Sequence, residues 1–309
     1  MKKVIIITGP TGSGKSDLAI DLAQKLNTEI ISADSVQVYK GFDIGSAKVT
    51  KEEQEMVPHH LIDIMNPEEQ YSVADFQRDA TEKIKEILAK GKIPIVCGGT
   101  GLYIHSLLYD LDFSEEKVDE KLREELENIY QREGVEALVK LLEELDPERV
   151  KTIDLRNHRR LIRGIELAKS GKKNHTKNLR KKNEQWESYY FVVRRDREKL
   201  YEIINERTKK MIGLGLVEEA KTLYEKYGFV SPMRTIGYKE MVSYFEGEYS
   251  LEMTIEKIQQ HSRNLAKRQL TWFRKEEDAI FIDRDVYPKN EEAVEYILKV
   301  VEGENGHGE

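Results

Sequence analysis

The opening third of the chain alternates between two hydrophobic periods. Residues 4–8 form a short continuous apolar run, as expected of a buried strand, and 9–14 form a loop rich in glycine. Leu18, Ala19, Leu22, Ala23 and Leu26 then recur at helical spacing, which predicts a helix over 15–26. Residues 29–33 read as a second strand ending at Asp34, 61–64 as a weaker extended segment, and 73–88 as a helix capped by Ser72. A third strong strand, 92–97, closes on Gly98-Gly99-Thr100-Gly101. Strands separated by helices of this length imply a parallel sheet with right-handed crossovers.

After Asp112 the pattern turns charged and poor in strands as far as about Lys182, with 170–183 too short of apolar residues for anything but a loop or hairpin. Residues 189–193 read as a strand again, 199–227, 250–273 and 290–301 as helices, and 279–283 as a last strand. The expected fold class is α/β: a P-loop NTPase-like parallel sheet flanked by helices, carrying an inserted all-helical domain. Residues 1–112 form the first part of the core, 113–185 the insertion, and 186–309 the return to the core with C-terminal helices.

Composition narrows this further. At 39% hydrophobic and 35% charged the chain exceeds the roughly 25% charge of an average domain, yet its apolar positions recur throughout, so the excess belongs on solvated helix faces. Disordered, collagen-like and disulfide-scaffold classes are excluded. The single Cys97 ends an apolar run, as a buried thiol does, and cannot make an internal disulfide. The early apolar run is far short of the roughly 20 residues of a membrane helix, and Thr8-Gly9-Pro10 interrupts any signal-peptide core, so a cytoplasmic protein is expected, with a monomer as the default state.

Charge is distributed unevenly. Residues 115–148 hold 13 acidic and 5 basic side chains, whereas 151–182 hold 12 basic and 2 acidic. Two solvated faces of opposite sign explain this as well as a local polyanion site does.

The chemistry begins at Gly9-Pro10-Thr11-Gly12-Ser13-Gly14-Lys15-Ser16. This run fits G-x-x-x-x-G-K-[ST] and sits between a strand and a helix, the context in which backbone N–H groups and a helix N-terminus converge on phosphate oxygens. Lys15 is positioned to reach a terminal phosphate, and Ser16 is a candidate Mg²⁺ ligand. An NTPase ordinarily pairs this loop with an apolar strand ending in Asp. Here the strongest later strand ends in Cys97-Gly98-Gly99, and the strand that does end in an acid is the second, at Asp34. A carboxylate at the carboxyl end of a parallel sheet faces the ligand crevice, which makes Asp34 a candidate general base; a turn cap is the alternative.

The run Ile31-Ser32-Ala33-Asp34-Ser35-Val36-Gln37-Val38-Tyr39-Lys40 through Lys48 resembles the second motif of tRNA dimethylallyltransferases, enzymes that prenylate adenosine 37 beside the anticodon. Further resemblances follow in order at Pro58–Asp63, Tyr71–Phe76, Gly98–Tyr103, Arg234–Tyr238 and Ala266–Phe273. One departure is Gly171-Lys172-Lys173-Asn174-His175-Thr176, where the family usually has Pro and Ser after its Gly-Lys.

The resemblance implies that Gly9 to Ser16 hold the diphosphate of dimethylallyl diphosphate with Mg²⁺, and that Asp34 accepts the proton of adenine N6. It places Thr100 and Arg207 beside the reacting centre. Arg207 falls three residues after Ile204 and four before Met211, within the apolar stripe of its helix. An inward Arg requires an anion, and a structural carboxylate satisfies that as well as a diphosphate; the resemblance favours the diphosphate. For tRNA it implies Asp34, Ser35, Val36, Gln37 and Thr100 around an everted base, with Arg123, His158, Arg159, Arg160, Leu161, Ile162, Arg234, Gly237 and Tyr238 as further contacts. Arg263, Lys267 and Arg274, near Trp272 and Phe273, form a second basic face, for which a solvated surface over core aromatics is the alternative reading. His59-His60 lacks a third ligand and reads as structural. A P-loop small-molecule or nucleoside kinase is the alternative function.

Overall fold

The computed structural model describes residues 2–109, 111, 119–171 and 181–303. Residues 172–176 of the atypical loop and the tail after Gly303 lie outside them. The chain divides into two units, 1–109 with 182–309, and 110–181.

The first unit is built on a parallel sheet of six strands: β1 (Lys3–Thr8), β2 (Ile30–Ser32), β3 (His59–His60), β4 (Ile95–Gly98), β5 (Glu187–Arg194) and β6 (Ile280–Asp283), in the order β3-β2-β4-β1-β5-β6. The two-residue period of β1 sends Ile5 and Ile7 to one face and Val4 and Ile6 to the other, and both faces are covered, which is why the run is apolar throughout. Ile5 and Ile7 pack against α1 (Lys15–Lys25) and α13 (Asn290–Glu302). Val4 and Ile6 share a core with Phe76 and Ile84 of α3 (Val73–Ala89), Ile104 of α4 (Gly101–Leu108) and Phe273. A third core joins Val38, Tyr39 and Phe42 to α9 (Arg197–Gly213), α10 (Leu216–Tyr227), α11 (Tyr238–Phe245) and α12 (Leu251–Phe273).

Two elements depart from the sequence pattern. The continuous helix expected over 199–227 breaks between α9 and α10, because Gly215 takes φ +102° as the N-cap of α10 and leaves Leu214 exposed. The extended segment expected at 61–64 is instead a turn: the strand is β3, and Leu61 and Asp63 follow at φ +61° and +55°. A short helix without buried residues, α2 (Lys51–Met56), is held by a capping box between Thr50 and Glu53 rather than by an apolar stripe.

The second unit contains α5 (Glu120–Glu133), α6 (Val135–Leu145), α7 (Pro147–Val150) and α8 (His158–Lys169) around Leu126, Leu138, Leu142, Leu161, Ile162 and Ile165. Residues 182–185 belong with the sheet, since Lys182 pairs with Tyr109 in an antiparallel bridge and with Asp278 at 2.8 Å. No helix among the described residues is long and apolar enough to cross a membrane.

The small core of the helical unit makes it sensitive to a single cavity. Leu142→Ala is expected to cost ~2–5 kcal/mol. In hydrogen exchange by mass spectrometry, peptides from 119–171 should exchange faster while those of β1 and β4 keep their protection.

Candidate functional site

The carboxyl ends of β1, β2 and β4 open into a cleft of about 660 Å³, lined by Thr11, Gly12, Gly14, Lys15 and Ser16 on one side and by Asp34 to Gln37, with Gly98 and Gly99, on the other. Arg207 and Thr208 of α9, the segment Arg234 to Gly237, and Ser262 and Gln269 of α12 complete the wall. The structure therefore brings together the glycine loop, Asp34 and Arg207, which lie far apart in sequence.

The loop earns its shape from its left-handed residues. Gly14 at φ +84° turns the backbone into the N-terminus of α1 with no side-chain cap, leaving the first amides of that helix to an external anion. The loop is also held from outside by Gln269, whose Oε1 accepts from the Thr11 N–H at 3.0 Å while its Nε2 donates to the Gly99 carbonyl at 2.9 Å. Arg207 Nη2 donates to the Thr11 hydroxyl. Gln269 lies within the sequence motif of α12, but its role as a clamp between two glycine turns carries no pattern of its own in the sequence.

Asp34 does both things that its position permits. Its Oδ1 accepts from the N–H groups of Val36 at 2.9 Å and Gln37 at 3.3 Å, capping the turn, while Oδ2 takes no hydrogen bond from the described residues. Thr100 is the N-cap of α4 without a side-chain cap bond; its hydroxyl accepts instead from the Ser35 N–H at 3.2 Å, tying the turn after β4 to the turn after β2. The Gln37 amide is engaged on both sides, accepting from Ser32 Oγ at 3.2 Å and donating to the Ala47 carbonyl at 3.2 Å.

The electrostatics favour a multivalent anion. Burial lowers the pKa of Lys15, the charge of Arg207 lowers it further, and the carboxylates of Asp34 and Asp17 oppose. Arg207 is likewise depressed by burial and opposed by Asp34. Burial also pushes the Cys97 thiol up to about 12, so it is a neutral, inert group beneath the loop. Lys15 and Arg207 are both short of solvent, Asp34 acts on both and Asp17 on Lys15 alone, with Glu53 further along the lining; phosphate oxygens supply the partners that these two buried cations lack.

Several expected contacts are placed elsewhere. Tyr238 is fully buried and donates its hydroxyl to Glu219 at 2.6 Å, so it supports the cleft wall from behind instead of facing a ligand. Leu161 and Ile162 are core residues of the helical unit, because the apolar face of α8 is the one that packs; Arg159 and Arg160 are exposed. Arg123 makes a two-pronged ion pair with Glu166, at 2.8 and 2.9 Å. His158 stacks on Tyr130 at 4.2 Å. Arg234 and Gly237, by contrast, do line the cleft, Gly237 as buried backbone and Arg234 as an exposed side chain lying over Phe229. His59 and His60 are structural, bonded to the Val57 carbonyl and to Glu29; among the described residues no group of three or more His, Cys, Asp or Glu is placed to hold a metal.

Comparison with known proteins gives a consistent result. An IPP transferase family model matches residues 37–276, and an isopentenyl transferase model matches residues 2–67. A tRNA dimethylallyltransferase of Exiguobacterium sp. is 50% identical over 286 residues, 92% of this chain and 91% of its own. The solved tRNA isopentenylpyrophosphate transferase of Bacillus halodurans has a TM-score of 0.73 at 39% identity and covers 98% of both chains. A eukaryotic dimethylallyltransferase acting on tRNA has a TM-score of 0.77 at 31% identity, over 92% of this chain and 74% of its own.

Because only the charged form of Lys15 attracts an anion, the affinity of the cleft for inorganic diphosphate should fall as pH rises through the depressed pKa of Lys15. The fall should not exceed about tenfold per pH unit. The bound anion restores the ammonium, so binding takes up a proton in that window. Titration calorimetry in two buffers of different ionisation enthalpy measures this uptake, and Lys15→Arg, which stays charged, should reduce it to that of the diphosphate alone.

Proposed function

The chain belongs to the IPP transferase family, it is a transferase that moves a prenyl group to tRNA, and we propose that its donor is dimethylallyl diphosphate and its acceptor N6 of adenosine 37. The observation that carries this reading is the placement of Asp34 across the cleft from the glycine loop, within the field of both Lys15 and Arg207.

The N6 lone pair of adenine is delocalised into the ring, which makes it a weak nucleophile. Attack on C1 of the allylic donor forms the N6–C1 bond and breaks the C1–O bond, and the electron pair of that bond leaves with the diphosphate. The N6 proton passes to the Asp34 carboxylate. The loop amides, Lys15 and Arg207 face the charge that develops on the departing oxygen, so they hold it more strongly in the transition state than in the donor. The Thr100 hydroxyl keeps the Ser35 backbone, and with it the Asp34 turn, at a fixed position relative to the end of β4.

The donor set suits Mg²⁺, which takes one or two protein oxygens and completes its shell with phosphate and water. Ser16, which lines the cleft, is the residue whose hydroxyl would hold it. When bound, the ion neutralises part of the diphosphate charge. A tRNA substrate supports the cytoplasm as the proposed compartment. The kinase alternative has no comparable support: β4 ends in Cys97-Gly98, with a neutral thiol, and runs on into Gly99, and the family is one of prenyl transfer.

The test is label transfer from dimethylallyl diphosphate into unmodified tRNA under single-turnover conditions. Asp34→Asn retains an oxygen that can cap Val36 and Gln37 but cannot take the proton, so the rate should fall ~10²- to 10⁴-fold with tRNA and diphosphate affinities close to wild type. Transfer by the wild type from ATP alone, or an undiminished rate in the Asn variant, would contradict the assignment.

A further inference from the structure

On α12, Phe273 is buried at 1% exposure, while its neighbour Trp272 is left 37% exposed. An exposed indole costs the chain something, and here a second feature is given up to seat it. Gly101 opens α4, where glycine disfavours the helix. Its φ is not positive; the constraint comes from Trp272, whose Nε1 and Cδ1 lie 2.7 and 2.8 Å from where a β-carbon would stand. The indole edge therefore rests against the backbone one residue after Thr100.

The ring is fixed from a second side. His105, one turn along α4, lies 5.0 Å from it at an interplanar angle of 46°. His105 Nε2 is bonded at 2.7 Å to Glu276, a carboxylate only 8% exposed that also accepts from the Tyr109 hydroxyl. This network has no part in the diphosphate cleft, yet it pins an aromatic plane next to it. Leu102, the residue after Gly101 in α4, is 45% exposed.

The helix adds charge at matching positions. Arg268 stands one turn before Trp272 on α12, and Lys275 follows in the turn that ends the helix, its N–H donating to the Trp272 carbonyl at 3.2 Å; both are exposed and without an ion pair among the described residues. A rigid aromatic ring flanked by two uncommitted cations is the arrangement that holds an unpaired nucleotide, the ring stacking on the base and the cations meeting its phosphates. A protein or lipid partner is not favoured by so small an apolar area framed by positive charge.

We propose that Trp272 is the stacking platform for the anticodon-loop nucleotide that flanks the target adenosine, with Arg268 and Lys275 on the adjoining phosphates. This rests on the tRNA prenylation reading above. Everting the target base deprives its neighbour of a stacking partner, and the indole beside Thr100 replaces it.

Two measurements test this. In steady-state prenylation, Trp272→Ala should raise the KM for tRNA about 10-fold or more, leave the KM for dimethylallyl diphosphate within about twofold, and be largely rescued by Trp272→Phe. The chain has two tryptophans, and Trp186 is 4% exposed; an anticodon stem-loop should therefore quench wild-type fluorescence through Trp272, and Trp272→Phe should abolish the quenching while still binding. An unchanged KM for tRNA, or a bound stem-loop that leaves the wild-type emission untouched, would overturn the platform even if prenyl transfer proceeds normally. If the wild type fails to prenylate tRNA at all, the failure lies with the functional reading, which the label-transfer assay detects separately.

Discussion

The constraint on which the site depends is a charge imbalance built into the end of the sheet. Lys15 and Arg207 are brought where burial disfavours their charged forms, with Asp34 as the nearby carboxylate. A cation in that position is tolerated only if an anion completes it, so the fold is most comfortable with a ligand carrying several negative oxygens. Gln269 and the Thr11 hydroxyl keep this arrangement in register, because they tie the glycine loop to the turn after β4 and to α9 before any ligand arrives. The ligand thus meets a surface whose reorganisation has already been made, which is the condition under which electrostatic stabilisation of a leaving group is effective.

The opposite wall is held by carboxylates that never face the cleft. Glu219 accepts from the N–H groups of Asp43, Ile44 and Gly45 at distances between 2.8 and 3.2 Å and from the buried Tyr238 hydroxyl. Lys48, only 3% exposed, joins Asp43 and Asp63 at 2.6 Å and the Tyr39 carbonyl at 2.8 Å. These contacts anchor the far end of the segment that begins at Asp34, so the turn carrying the carboxylate is fixed at both ends. Gln37 shares in this, since its amide reaches back to Ser32 and forward to Ala47. Lys48 is the buried charge of this set, and its two exposed carboxylates with the Tyr39 carbonyl complete it.

How much of this is legible in the sequence depends on whether a residue's role follows from its neighbours in the chain or from a packing partner far away. The run of β1, the helical spacing of α1 and α3 and the glycine loop between strand and helix are local patterns, and the structure has them where the periodicity places them. Asp34 is legible as the end of a strand. Leu161, Ile162 and Tyr238 are not legible as core, because a motif shows which residues accompany a function without showing which face they occupy. The break after α9 is hidden because Gly213 to Gly215 interrupts a pattern that is otherwise apolar on both sides. Gln269 and Trp272 are the hardest, since each acts on a glycine some 170 residues away, Gly99 for one and Gly101 for the other.

The same long-range pairs explain why a phosphate loop of ordinary form serves an alkyl transfer. In phosphoryl transfer the loop holds the group that moves, and the acid at the end of a neighbouring strand belongs to the metal shell. In prenyl transfer the diphosphate is the group left behind, and the electrophilic carbon stands beyond it, away from the loop. The groups that matter for the nucleophile must then lie across the cleft, where β2 and β4 end. Asp34 and Thr100 occupy those two strand ends and are joined to each other through the Ser35 amide, whereas the position directly after β4 that a kinase would give to an acid is held by glycine. Gln269 bonds the second of these glycines to the loop, so the feature that removes the kinase-like acid is also the one that sets the loop and the Asp34 turn at a fixed separation.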